Sequence, residues 1–151
     1  TAIEMRDAVD TRFDDADVFI AAAAVGDYRV ETPPARKHKR SREALTLELT
    51  PNPDIAASMG EKKRPGQITV GFAAETDGLI ENATAKLEAK QLDLIVANQV
   101  GGPDCAFGAD TARAWLLLAD AAPEDHGVLS KQDLARCVFD RIVASLLVSP
   151  T

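Results

Sequence analysis

Two groups of residues have types and spacings suited to a phosphorylated ligand. The first lies in Val18 to Arg40, where an apolar run passes through Ala21, Ala22, Ala23 and Ala24 and turns at Gly26-Asp27. It then enters a Pro-containing loop that ends in Arg36-Lys37-His38-Lys39-Arg40. An apolar strand that empties into a loop with a carboxylate and a basic cluster is a common way to build a nucleotide site, because open α/β sheets bind ligands beyond the carboxyl ends of their strands. Each part also has a plain structural reading. The alanines can admit a ligand to the backbone or simply make room for a packed helix. A basic run is most often a solvated loop, although on an acidic protein it also suits an anion. The second group is Lys86 and Lys90, four apart and so on one helix face. They can serve an anion or form a solvated lysine face, and Glu88 is not at a helical spacing that would neutralise them.

The elements that must position these residues follow in order. Thr1-Ala-Ile-Glu4 is a capping box opening a helix to Phe13, with Ala2, Met5, Val9 and Phe13 on one stripe. Asp17 to Ala24 is predicted as a strand buried on both faces, and Tyr28 to Arg42 as a loop. Leu45, Leu47 and Leu49 alternate with polar residues, which predicts a half-buried strand over Ala44 to Thr50, at a sheet edge or between subunits. Asn52-Pro53-Asp54 reads as N-cap, first helical position and first-turn acid of a helix from Pro53 to Met59, followed by a turn at Lys62 to Gly66. Ile68 to Ala74 is a second buried strand in which Gly71 suggests close approach and Phe72 suits the core better than ligand stacking. A helix over Leu79 to Gln91, a strand over Leu92 to Val100, a loop from Gly101, and a strand over Arg113 to Leu118 follow. Ser130 to Asp133 forms another capping box, before a helix with Leu134, Val138, Ile142 and Leu146 on one side. Alternating helices and buried strands imply a Rossmann-like α/β domain, its mostly parallel sheet covered by helices on both faces and the Ala44–Thr50 region an extension. One domain, residues 1–151, accounts for the chain.

Composition limits the alternatives. A chain of 151 residues, 46% hydrophobic and 27% charged, is ordinary for a soluble domain with a sizeable core. Its net charge of −7 argues against general nucleic-acid binding without excluding a nucleotide. No apolar run is long enough for a membrane span, and the start does not read as a secretory signal. Cys105 and Cys137 make no disulfide framework and are expected to be free thiols in a reducing cytoplasm. His38 and His126 are too isolated for a histidine metal site. No GxGxxG follows a strand, so a dinucleotide oxidoreductase has no support.

Taken in order, AAAVGDYR with KHKR, LTLELTPNPDI, VGFAAET, KLEAKQLDLIVAN, and a late F-G-A-D with an S-K helix resemble the phosphopantothenate–cysteine ligases, or phosphopantothenoylcysteine synthetases. The resemblance covers nearly the whole chain. In bacteria this ligase is often fused behind a flavin-dependent decarboxylase. The resemblance implies a CTP-dependent ligase of coenzyme A synthesis, with 4′-phosphopantothenate and L-cysteine as the other substrates. The carboxylate is activated as an acyl-cytidylate and then attacked by the cysteine amine, with Mg²⁺ bound through phosphates rather than a dedicated ligand set. It assigns nucleotide contacts to Ala21, Ala22, Ala23, Asp27, Lys37, Pro51, Asn52, Pro53, Asp54, Phe72, Lys86 and Lys90. Lys37 is the implied catalytic residue, on a flap that also carries Lys39 and Arg40. A homodimer, with Ala44–Thr50 near the partner, is implied as well.

The chain departs from the family pattern in several places. Arg40 replaces the last flap lysine, Gly26 the usual alanine, and Gln99 the usual acidic residue after the asparagine. The family's glycine-rich opening turn and its loop with a catalytic asparagine have no counterpart here. The expectation is therefore an N-terminally incomplete ligase domain whose polypeptide turns over little or not at all. The other reading is a nucleotide-binding and dimerisation fragment without catalysis.

Overall fold

A computed structural model of the protein describes residues 1–33, 36, 44–100 and 110–148. The elements are α1 (Ala2–Phe13), β1 (Val18–Ala21), β2 (Tyr28–Val30), β3 (Leu49–Pro51), α2 (Ile55–Lys62), β4 (Ile68–Glu75), α3 (Leu79–Ala89), β5 (Leu94–Gln99), β6 (Thr111–Leu118), β7 (Glu124–Ser130) and α4 (Lys131–Val148). A five-stranded sheet has the order β1-β4-β5-β6-β7, and β2 pairs with β3 in a separate ribbon. β1, β4 and β5 are parallel neighbours, whereas the β5–β6 and β6–β7 pairs are antiparallel. Only β6 therefore runs against the others, and the sheet is mostly parallel in direction.

Apolar side chains on alternate strand positions divide between two layers. Val70, Leu94, Val96 and Leu116 pack on one face against Leu134, Val138 and Ile142 of α4. These three recur every fourth residue, so they form one helical stripe. On the opposite face Ile95, Ala97 and Leu117 meet Ala83 and Leu87 of α3. Beside them Phe13 of α1 packs with Ile55 and Met59 of α2, its ring edge-on to Phe19 at 5.7 Å between centroids. Helices thus cover both faces, as the sequence predicts; β5 is the central strand, and Thr69 and Val70 of its neighbour β4 are fully buried.

Several local expectations are corrected. β1 ends at Ala21, because Ala22 N–H turns back to the Ile20 carbonyl and Val25 N–H to that of Ala23. It is half-buried rather than buried, since it pairs on one side only, with β4. Tyr28–Val30 is not loop but a strand, paired with Leu49–Pro51. Leu45, Leu47 and Leu49 are exposed, at 60%, 52% and 58%, and only Leu49 and its successors reach strand pairing. α2 is capped by Asp54, not Asn52, and continues through Lys62. β7 is absent from the sequence reading. Ser130 Oγ caps Asp133 N–H at 3.0 Å and donates to its carboxylate at 2.7 Å. Cys137 is a free thiol. Cys105, the Gly101 loop and the Leu146 side chain lie outside the described residues.

Candidate nucleotide-binding cleft

Beyond the carboxyl end of β1, beside Gly71 and Phe72 in the middle of β4, lies a cleft of about 350 Å³. Its lining includes Ala21, Ala23, Asp27, Asn52, Pro53, Asp54, Phe72, Lys86 and Lys90. These residues come from four separated segments of the chain, and the fold brings them together. Ala22 and Pro51 are not in the lining: the Pro51 carbonyl faces away to accept from Arg29 Nη1. Lys37, Lys39 and Arg40 lie outside the described residues.

Each wall has a local cause. The departure of the chain from the sheet after Ala21 turns residues 22–27 over the sheet edge, and the methyl groups of Ala21 and Ala23 leave space there. Asn52 fixes the far end of this wall. Its side-chain Nδ2 donates to the Gly26 carbonyl at 2.7 Å, and its backbone N–H donates to the Asp27 carbonyl at 2.8 Å. The amide is thereby engaged, and the α2 cap falls to Asp54, whose carboxylate accepts from Ala57 N–H at 3.0 Å. This explains why the Asn-Pro-Asp pattern misplaces the helix start by two residues.

The floor depends on Gly71. A Cβ there would sit 2.6 Å from Leu92 Cδ1, so the close approach expected from its sequence position is present, with a side chain as the neighbour. Phe72 is 41% exposed and stands at the rim, not in the core. Although it stands in mid-strand opposite Val96, it is left uncovered beside a second cavity lined by Leu134 and Val138 of α4, and its apolar type alone does not report this.

The two lysines do not form a merely solvated face. Lys86 Nζ lies 2.5 Å from Glu75 Oε1, and Lys90 Nζ lies 3.0 Å from Asp54 Oδ2. Asn82 Nδ2 supports the other Glu75 oxygen at 3.3 Å. Burial pushes the Asp54 carboxyl upward, but the Ala57 N–H, the Lys90 ammonium and the Ala56 N–H together hold it below the ordinary carboxylate range. The cleft therefore holds two cations on its α3 wall, each oriented by a carboxylate, facing small residues and backbone on the β1 side. Such a site suits a polar anionic ligand whose flat part lies against small apolar groups.

Glu75 and Arg29 are participants that the sequence reading did not single out. Glu75 is the last residue of β4, and its link to Lys86 spans the turn into α3. Arg29 acts from β2, where the sequence predicts a loop. Neither contact has a local spacing signature.

Comparison with known proteins agrees with the order of motifs. Residues 1–146 match the family described as DNA/pantothenate metabolism flavoprotein C-terminal domain. The coenzyme A biosynthesis bifunctional protein CoaBC of Bacillus subtilis is 40% identical over 144 residues, covering 95% of this chain and 35% of that protein. A cysteine/cysteine sulfinic acid decarboxylase from an unknown prokaryotic organism is 41% identical over 143 residues, covering 95% of this chain and 40% of that protein. The crystal structure of the C-terminal domain of a coenzyme A biosynthesis bifunctional protein CoaBC superposes with a TM-score of 0.79 at 30% identity, over 99% of this chain and 64% of that one. The chain thus spans well under half the length of these two sequence relatives. On the family match and on these relatives, the chain belongs to the DNA/pantothenate metabolism flavoprotein C-terminal domain family.

Proposed function

We propose that this chain provides the cleft in which CTP activates 4′-phosphopantothenate for joining to L-cysteine, the phosphopantothenate–cysteine ligase step of coenzyme A biosynthesis. The observation that carries this reading is the convergence of Ala21, Asp27, Asn52, Asp54, Lys86 and Lys90 on one cleft beyond the carboxyl end of β1. Relatives named for coenzyme A biosynthesis narrow the class of reaction. In the proposed sequence a substrate carboxylate oxygen attacks the α-phosphorus of CTP, the bond to the bridging oxygen breaks, and pyrophosphate leaves. The cysteine amine then attacks the acyl carbon, an amide forms, CMP leaves, and the amine proton passes to solvent.

This chemistry asks the protein mainly for positive charge, orientation and exclusion of water from a reactive anhydride. Lys86 and Lys90 supply the charge on one wall. Asp27 and Asn52 bound the other, where the ribose or base would rest. Lys37, by resemblance, closes over the reacting groups. Among the described residues no group of three or more His, Cys, Asp or Glu gathers to hold a metal. With both Asp54 oxygens engaged by Ala57 N–H and Lys90, Asp27 is the cleft carboxylate that would add an oxygen to a Mg²⁺ carried mostly on substrate phosphates. When bound, that ion neutralises triphosphate charge.

The same reading places the chain in the cytoplasm, in a longer polypeptide whose other part is a flavin-dependent decarboxylase. Among the described residues no helix is long and apolar enough to cross a membrane. It also assigns the β2–β3 arm to a second copy of the chain, because Tyr28, Leu45, Leu47 and Leu49 are all more than half exposed there. The test is pyrophosphate release, with CTP, 4′-phosphopantothenate and cysteine, by the longer native polypeptide that carries this chain. Release that requires all three supports the ligase. CTP binding with no release favours the nucleotide-binding and dimerisation reading, and indifference to CTP contradicts both.

A further inference from the structure

Arg29 lies outside the cleft lining, yet it touches the residue that fixes one wall. Its Nη1 donates to the Pro51 carbonyl and, at 3.4 Å, to Asn52 Oδ1. An amide has one acceptor end and one donor end. With Oδ1 turned to the guanidinium, Nδ2 must point the other way, and there it meets the Gly26 carbonyl at 2.7 Å. The Asn52 backbone N–H holds the adjacent Asp27 carbonyl at 2.8 Å. Arg29 is itself placed by the β2–β3 ladder, in which it stands opposite Thr50 while Tyr28 stands opposite Pro51.

We propose that Arg29 is a positioning residue for the cleft, acting through Asn52. The guanidinium sets the orientation of the Asn52 amide, the amide ties down Gly26 and Asp27, and the spacing between the two walls follows. Gly26 has open space around it, with only the Tyr28 carbonyl within 4 Å of a built Cβ, at 3.8 Å. Packing therefore does little to hold this turn, and hydrogen bonds must. The inference deepens the nucleotide reading and rests on it for the choice of CTP as probe.

The test uses Arg29→Met, which keeps the apolar stem and removes the donors, and Arg29→Lys, which restores a cationic donor. CTP titration by calorimetry should show affinity lowered about tenfold in Arg29→Met, the usual scale for a lost charge-assisted hydrogen bond, and largely recovered in Arg29→Lys. Asn52→Ala should show a similar loss, and the double variant should be no weaker than Asn52→Ala alone, because both changes break one link. By NMR, the Asn52 side-chain amide protons and the Gly26 and Asp27 backbone signals should shift in Arg29→Met with the sheet signals unmoved. Unchanged CTP affinity in Arg29→Met, or additive losses in the double variant, overturns the proposal. If the wild-type chain binds no CTP, the nucleotide reading fails while the NMR comparison still judges the link. Unmoved Asn52, Gly26 and Asp27 signals would then overturn it.

Discussion

Asp54 performs two tasks, one on each oxygen: Oδ1 caps α2 and Oδ2 pairs with Lys90. Its folded-state pKa lies below that of an unfolded carboxylate, so the native state binds fewer protons over that range. The stabilisation is present above the unfolded value and is lost as pH falls through the folded one. Asn caps as well as Asp, so Asp54→Asn should leave the helix start intact and flatten the loss of stability as pH falls through and below the ordinary carboxylate range, as read by urea unfolding. The side chain is half exposed, so the change at neutral pH should not exceed about 1 kcal/mol. An acid limb unchanged in the variant would show that ionisation of Asp54 does not carry the loss. Lys37 has a different expected signature. If it stabilises charge that develops during activation, Lys37→Gln should lower the rate of pyrophosphate release about a hundredfold and leave CTP affinity nearly unchanged. Equal loss of both would reduce Lys37 to a ground-state contact. Residue identity was the most legible level of the site, since ordered motifs point to nine lining residues. What stayed hidden were the partners. Glu75 and Asp54 reach the two lysines through folding, and no helical spacing announces either pair.

The cleft also depends on how α2 meets the end of α3. Gly60 is buried, and a Cβ there would lie 1.9 Å from the Lys90 carbonyl oxygen. This small contact lets α2, with Asp54 at its start, lie against the chain end that carries Lys90. Gly60→Ala gains about 1 kcal/mol of helix propensity, but overpacking against backbone that cannot rotate away costs about 1–3 kcal/mol. The expected outcome is a lower urea midpoint, with weaker CTP binding as Asp54 and Lys90 are pushed apart. An unchanged midpoint would mean that α2 slides freely. Nothing in the sequence distinguishes Gly60 from a poor helix residue. The long periodic elements α1, α3 and α4 were legible because their apolar stripes repeat with helical period. β7 was not, since Glu124–Ser130 is polar, pairs only with β6 and contains Gly127 at a φ of +65°. The β2–β3 arm was half legible. Alternation marked the leucines, but alternation cannot tell a face covered by the same chain from one left exposed.

At the scale of the whole molecule, the exposed leucines of the arm call for a partner, because clustered apolar side chains in water favour association. Sedimentation of the native protein should give a dimer, and Leu47→Asp should shift it toward monomer. A monomeric wild type at tens of micromolar would remove the dimer from the proposal. The helices on both faces follow from the chain's alternation of elements, whereas the strand order and the antiparallel β5–β6–β7 end do not, because no helix separates those strands. The central claim concerns the occupant of the cleft: the cleft with Lys86 and Lys90 on its wall binds CTP. Calorimetric titration of the wild-type chain with CTP, ATP and NAD, repeated with Lys90→Met, tests it most directly. Binding should favour CTP, and Lys90→Met should weaken it about tenfold. Preferential binding of NAD, or CTP binding indifferent to the loss of Lys90, would contradict the claim.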